Sequence, residues 1–407
     1  MKTYNKFLAL GCVLFFYFEL LLYTYEKEII SFSPKNAVLL TAILCMPLLI
    51  KQRRLIRVLQ KPIVKWIISF QVLLVFFYLL TKVNHANEYG VLILESFKTL
   101  SLTNILMFLL VIVLDDKAVF EISKKFLIVA VIAACLLNAY DMLSFDIESF
   151  SEFLGRGAGT YMNPNLSYMA IMWGLILSIN SIASRYRILY MSICIIGVCF
   201  TLSRGGIVLI FLLAILFIMF KIFRLKTSLI FIGTISIVAI VGSQTIYSNI
   251  SKGIQSSVYN SDALLNRFNQ IVNPSVANIT GDSRFDNLAY YVNRYLENPI
   301  VGNGLGSSNY FSKYYIYKNT SHNQFIHFLN ELGVMGFIII ISFLIVLGIN
   351  SNNNIVLSKE YILFIFTFIT FAFFSHNLMD HYCMAYCYVF LSRISESKSK
   401  TLPKILS

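Results

Sequence analysis

Of the 407 residues, 57% are hydrophobic and only 13% charged, with a mean hydropathy of +0.73, whereas soluble domains carry roughly 25% charged residues. That composition excludes a water-soluble enzyme, and 35 Phe with 24 Tyr exclude a disordered chain. The net charge of +13 would point to nucleic acid in a soluble protein, so its distribution along the chain decides what it means.

Apolar runs of the kind that cross a bilayer lie at about 7–25, 29–50, 66–81, 91–114, 126–143 and 162–183, then at 188–202, 206–220, 227–249, 325–349, 361–379 and 383–392. The second is interrupted by Pro34 and Pro47, and the last is short. The first has the basic start of a signal peptide but no small-residue cleavage site, so it reads as a span. The expectation is an all-α polytopic membrane protein with about twelve transmembrane helices. Nine spans fall in 1–249, a large outer loop in 250–321, and three spans with a cytoplasmic tail in 322–407.

Lys and Arg concentrate in cytoplasmic loops of membrane proteins. With a cytoplasmic N-terminus, the inner segments hold 21 of the 33 basic residues. Both termini are then cytoplasmic, and the basic balance is a sidedness signature with no nucleic-acid partner implied. All seven cysteines fall inside spans, so no disulfide framework is expected. His85, His322, His327, His376 and His381 all fall at or near the outer face, which points chemistry outward.

The arginines on the unexpected side are the informative ones. Arg204 lies in Thr201-Leu202-Ser203-Arg204-Gly205-Gly206, a tight outer turn between two spans whose far ends are basic. A charge at that depth costs about 3 kcal/mol unless paired. It either snorkels or pairs with an outer carboxylate such as Asp380, or it binds an anion, for which its planar fork suits phosphate. Arg156 lies in Leu154-Gly155-Arg156-Gly157-Ala158-Gly159, where the glycines allow close backbone approach to a ligand. The Asn163-Pro164-Asn165 that follows reads as an N-cap and first helical residue.

In the long outer loop, 283–297 reads as an amphipathic helix with Phe285, Leu288, Ala289, Val292 and Leu296 at helical spacing. Ser283 and Asp286 resemble a capping box, and Pro299 ends the helix. Arg284 then sits in the first turn, where free N–H groups favour an anion; Arg294 lies elsewhere and reads as solvated. The Gly302-Asn303-Gly304-Leu305-Gly306 run fits a plain turn better than a phosphate cradle.

Ser321 and Gln324 read as a capping box that opens the next span and puts His322 at its first helical position. The helix dipole there disfavours a positive charge, leaving the neutral imidazole that a general base needs. His327 and Glu331, four residues apart, can meet on one face. Polar groups inside a span are candidates for function, and these two, with Asn323, read as supporting residues. No ligand spacing supports a metal on His322, His376, Asp380 and His381, and no cofactor motif is present.

On these residues the chain resembles the O-antigen ligase and O-antigen polymerase superfamily of bacterial envelope glycosyltransferases. The resemblance rests on the Thr-Leu-Ser-Arg-Gly-Gly turn, on Ser283-Arg284 with Glu297-Asn298-Pro299-Ile300-Val301-Gly302-Asn303-Gly304, and on His322-Asn323-Gln324 leading into Glu331-Leu332-Gly333-Val334-Met335-Gly336. These motifs occupy about 154–336; the first five spans match only in hydropathy. The resemblance implies a fold related to the GT-C class and a glycan donor on undecaprenyl diphosphate. It also implies that the arginines matching Arg204 and Arg284 hold the diphosphate and that the histidine matching His322 acts as base without a metal. No outer Asp-x-Asp is present, and Glu26-Lys27-Glu28 is the nearest approach to one.

The expected reaction is glycosyl transfer with diphosphate as leaving group. The arginines Arg204 and Arg284, with Arg156, stabilise it, and His322 deprotonates the acceptor hydroxyl. An acceptor that is itself lipid-linked makes the protein a polymerase of O-antigen or capsular polysaccharide, and lipid A–core makes it a ligase. The first is favoured, on the prior that polymerases exist for many different repeat units. Expected partners are the donor, the acceptor, membrane lipid and a chain-length regulator; the expected location is the bacterial cytoplasmic membrane with the site outside. A flippase or other transporter is the competing class, against which stand the lack of similarity between the halves and the long arginine-bearing outer loop.

Overall fold

The computed structural model describes residues 2–49, 52–144, 156–223, 284–314, 321–350 and 354–399. Among the described residues it is 81% helical with no strand, apart from one isolated bridge between Ile349 and Ile355. In chain order the helices are α1 Lys2–Cys12, α2 Leu20–Glu26, α3 Pro34–Leu49, α4 Gln52–Leu59, α5 Pro62–Tyr89, α6 Val91–Asp115, α7 Lys117–Ser144, α8 Pro164–Ser178, α9 Arg187–Cys199 and α10 Arg204–Met219. After these come α11 Arg284–Glu297, α12 Ser307–Tyr314, α13 Gln324–Leu332, α14 Val334–Gly348, α15 Lys359–Ala372 and α16 Tyr382–Ser399. The chain forms two compact units, 1–126 with 282–407 and 127–281.

Among the described residues, Pro62–His85 and Val91–Asp115 are long and apolar enough to cross a membrane unaided. The pair Thr3–Tyr17 and Leu20–Glu26 does so as one span bent by 53°. The shorter apolar helices are Pro34–Leu48, Arg204–Met219 and Val334–Gly348. The twelve expected runs are therefore not twelve unbroken helices, and the run at 227–249 lies outside the described residues. The clearest departure is the run 325–349, which divides at Gly333. Its φ of +62° and ψ of −153° suit glycine alone, and an added Cβ there would come within 2.2 Å of the Ile300 carbonyl oxygen.

In the first unit α6 packs against α3, α5 and α16. Residues 383–391 of α16 are fully buried in succession, which makes it an inner helix. Facing outward, α5 exposes Ile68, Val72, Val75, Phe76, Leu79 and Val83, and α14 exposes Val334, Phe337, Ile338, Ile341 and Ile345. Rows of large aliphatic residues turned outward on apolar helices are the surface a lipid solvent requires.

A buried ionic network closes one end of this unit. Lys61 Nζ reaches Asp115 at 2.9 Å and Glu396 at 2.7 Å, and Arg393 reaches Glu396 at 3.0 Å. Arg54 stands 3.5 Å from Asp116 and donates to the Ile112 carbonyl. Three segments expected on the same side of the membrane, 51–65, 115–125 and 393–407, thus meet at one end of the bundle. Thr81 lies about 30 Å further along α5 by helical rise and receives the loop that precedes α12.

Candidate active site

In the second unit, α8, α9 and α10 come together around the Thr201–Gly206 turn. The turn is tight because Leu202 adopts a left-handed φ of +47°, after which Ser203 stands as N-cap and Arg204 opens α10. Ser203 donates its hydroxyl to Asn165 Oδ1 at 3.1 Å, tying the start of α10 to the first turn of α8. Asn163 caps α8 through the Asn165 N–H and Pro164 follows as its first residue, as the sequence predicts. Gly206 is required by a close approach: a Cβ there would lie 2.8 Å from Tyr168 Cγ.

Arg156 joins this arrangement from the side. It is buried, and its Nε donates to the Thr201 carbonyl at 3.1 Å; Gly157 N–H donates to the Phe200 carbonyl at 3.0 Å. The loop is held from behind by Asp141, whose Oδ2 accepts the N–H groups of Ala158 and Gly159, both at 3.0 Å. Sequence reasoning passed over Asp141, although a carboxylate near the end of an apolar run was a visible signal. The structure therefore brings Arg156 and Arg204 to one turn.

In the first unit α11 is described from Arg284 to Glu297, and the predicted start at Ser283 lies outside the described residues. The capping role of Ser283 and the side chains of Arg284 and Phe285 lie outside the described residues. The buried face of α11 is not the predicted one: Asn287 and Tyr291 point inward, while Leu296 is 62% exposed. Tyr291 wins the interior because its ring packs on Phe311 with Tyr290, Tyr310 and Ile326 around it, and its hydroxyl reaches the Ser308 carbonyl at 3.0 Å. Arg294, expected to be solvated, lies over the rings of Phe311 and Tyr290 and pairs with Glu297 at 2.9 Å.

The Gly302–Gly306 run is a turn. The N–H groups of Gly302, Asn303 and Gly304 donate to the carbonyls of Asn298, Asn330 and Glu331 at 2.8, 2.7 and 3.0 Å, and Leu305 N–H donates to Thr81 Oγ1 at 2.9 Å. These donors are spent within the protein, so they do not cradle a phosphate. The Asn303 side chain donates to the Arg294 carbonyl and to Asn330 Oδ1 and accepts from Asn298. Asn330 continues to Ser307 and Ser308. This plug between α11, α12 and α13 was not read from the sequence.

The predicted capping box around His322 needs correction. The N-cap of α13 is Asn323, whose Oδ1 accepts the Ile326 N–H at 3.0 Å, and Ser321 donates instead to the Asn323 carbonyl. An asparagine side chain reaches the third amide of the helix directly, which displaces His322 to just before the cap. There its backbone takes a left-handed φ of +47°, a conformation that costs a non-glycine residue about 1–3 kcal/mol and clusters at functional sites. His327 and Glu331 do share a face, with Nε2 to Oε1 at 3.7 Å, and Glu331 also accepts the Ser308 N–H. The His376 ring lies 5.7 Å from those of both His322 and His327. Among the described residues no three His, Cys, Asp or Glu side chains are placed to hold a metal ion.

Arg156 and Arg204 thus belong to one unit, and His322, His327, Glu331 and the start of α11 to the other. Comparison with known proteins found no curated protein and no solved structure that matches the chain. Residues 189–341 match the family model described as O-antigen ligase, a segment that contains Arg204, Arg284, His322, His327 and Glu331 and leaves Arg156 outside. Over that segment, less than half of the chain, the protein is similar to the O-antigen ligase family.

Proposed function

We propose that the protein is a polymerase of O-antigen or capsular polysaccharide. It transfers a glycan from undecaprenyl diphosphate to a hydroxyl of a second lipid-linked repeat unit, on the outer face of a bacterial cytoplasmic membrane. The acceptor O–H gives its proton to His322 while its oxygen attacks the anomeric carbon. The bond to diphosphate breaks with its electron pair, and a single displacement inverts the configuration. Arg204 and Arg284, with Arg156, neutralise the departing diphosphate without a metal, which is electrostatic stabilisation of the transition state.

The observation that carries this reading is the placement of Arg204 at a helix start and of His322 just ahead of a helix cap, both within the matched segment. Arg204 is the first residue of α10, where unpaired N–H groups and the helix dipole favour an anion. His322 is held in a strained conformation just ahead of α13. Arg156 supports the reading by bracing the turn that presents Arg204. Support for the sidedness comes from the ionic network, which gathers three expected cytoplasmic segments at one end.

The test is incubation of the purified protein with an undecaprenyl-diphosphate-linked repeat unit in EDTA, with and without lipid A–core. A ladder formed without core is the expected result. Product formed only with core makes the protein a ligase, and no released undecaprenyl diphosphate with any repeat unit refutes both.

A further inference from the structure

The chemistry above leaves unused a group of buried ionisable residues in the first unit. Glu19 is fully buried within the first apolar run, with a left-handed φ of +49°, at the break between the π-turn Val13–Tyr17 and α2. A carboxylate so deep in a span is functional by default. Its Oε1 accepts the Cys383 N–H at 3.2 Å and stands 3.7 Å from His381 Nδ1. Its Oε2 is buried with no hydrogen-bond partner, as is Oδ1 of Asp380.

His381 ends the loop between α15 and α16, and this loop is fastened at several places, among them the Tyr388 hydroxyl, which donates to the Leu378 carbonyl at 2.5 Å. Gln324 Oε1 of α13 accepts the Leu378 N–H at 2.8 Å. Thr103 of α6 donates to the Asp380 carbonyl at 3.0 Å. Glu19 holds His381 and the first turn of α16. His376 sits within the same loop and meets the His322 ring edge-on, at 5.7 Å between centroids and 71° between planes. The loop therefore sets His376 against the rings of His322 and His327, each at 5.7 Å.

We propose that His376 is a positioning residue for His322, and that the Glu19–His381 pair holds the loop that presents it. The proposal rests on His322 being the base. A base is effective when a further group fixes its ring, and His322 needs such a support because its backbone lies outside α13.

Burial pushes His381 down, but the Glu19 carboxylate 3.7 Å away, with Asp380, raises it to about 9. The groups around the loop are Glu19, Tyr382 and Cys383 on the α1–α2 and α16 side, and His322, His327 and Glu331 on the α13 side. Loss of the His381 proton above about pH 9 releases the clamp.

The experiment combines turnover against pH with nitrogen NMR of the protein labelled at its five histidines. Glu19→Gln should lower kcat about tenfold with KM unchanged and move the alkaline limb from about pH 9 toward the ordinary histidine range. His376→Ala should lower kcat at least tenfold, with partial rescue by His376→Gln. In Glu19→Gln, the His322 and His376 resonances should shift together with that of His381. A Glu19→Gln protein whose alkaline limb is unmoved, or in which only the His381 resonance shifts, overturns the proposal. If the wild-type protein shows no turnover, the reading of His322 as base has failed. The resonances then still decide whether Glu19 fixes the His376–His322 contact.

Discussion

Replacing Asn303 with Ala tests whether the Gly-Asn-Gly run is a structural plug. The substitution removes three side-chain hydrogen bonds, to the Arg294 carbonyl and Asn298 at 2.8 Å and to Asn330 Oδ1 at 3.0 Å. Each is worth about 1 kcal/mol net, and an orphaned buried partner adds about 1–3 kcal/mol. Because Asn330 is fully buried, its Oδ1 finds no water, and the total loss should reach about 3–5 kcal/mol. Unfolding in mixed detergent micelles can be followed through Trp66, which bonds Ser342 between α5 and α14 at 3.0 Å. Asn330→Ala and the double variant complete a cycle, with an expected coupling of about 1–2 kcal/mol. Were the run a phosphate cradle, Asn303→Ala would weaken donor binding and leave stability alone. A loss below about 1 kcal/mol with additive single effects would refute the plug.

Other expectations follow from the same geometry. Arg204→Ala should slow release of undecaprenyl diphosphate about a hundredfold, or roughly 3 kcal/mol, with the protein still inserted; a rate within threefold of wild type removes Arg204 from the site. Lys61→Ala leaves Asp115 and Glu396 buried without their shared cation and should cost about 3–5 kcal/mol, measured by detergent unfolding. Glu396→Gln should cost less, since Lys61 keeps Asp115 at 2.9 Å. For pH, His381 at about 9 lies above the ordinary imidazole value of about 6.5. The stabilisation from its pair with Glu19 is therefore complete below about pH 6.5 and is lost as pH rises through about 9. Unfolding curves at successive pH values should show that decline in wild type and not in Glu19→Gln.

Much of this was legible because polarity in an apolar chain is sparse. Arg204 stood out by lying on the side where basic residues are rare, and the structure puts it at the first position of α10. The helix at 283–297 was readable from its spacing, but not its inward face, since Tyr291 and Phe311 make a better contact than the aliphatic residues. His322 was found by its place at a helix start, yet its register was missed because two capping side chains, Ser321 and Asn323, competed and the longer-reaching one prevailed. Breaks such as Gly333 cannot be seen in hydropathy, which records an apolar run and not where the backbone turns. Glu19 was visible as a charge inside a span, but its partners Cys383 and His381 lie at the far end of the chain. Such pairings belong to the tertiary fold.

The most direct test of the account compares wild type with His322→Ala, each purified, folded and given the same lipid-linked repeat unit in EDTA. Wild type should release undecaprenyl diphosphate as it extends the glycan, and His322→Ala should do so at least a hundredfold more slowly, the scale of a lost general base. Release by His322→Ala at the wild-type rate would contradict the assignment of the base and with it the proposed chemistry.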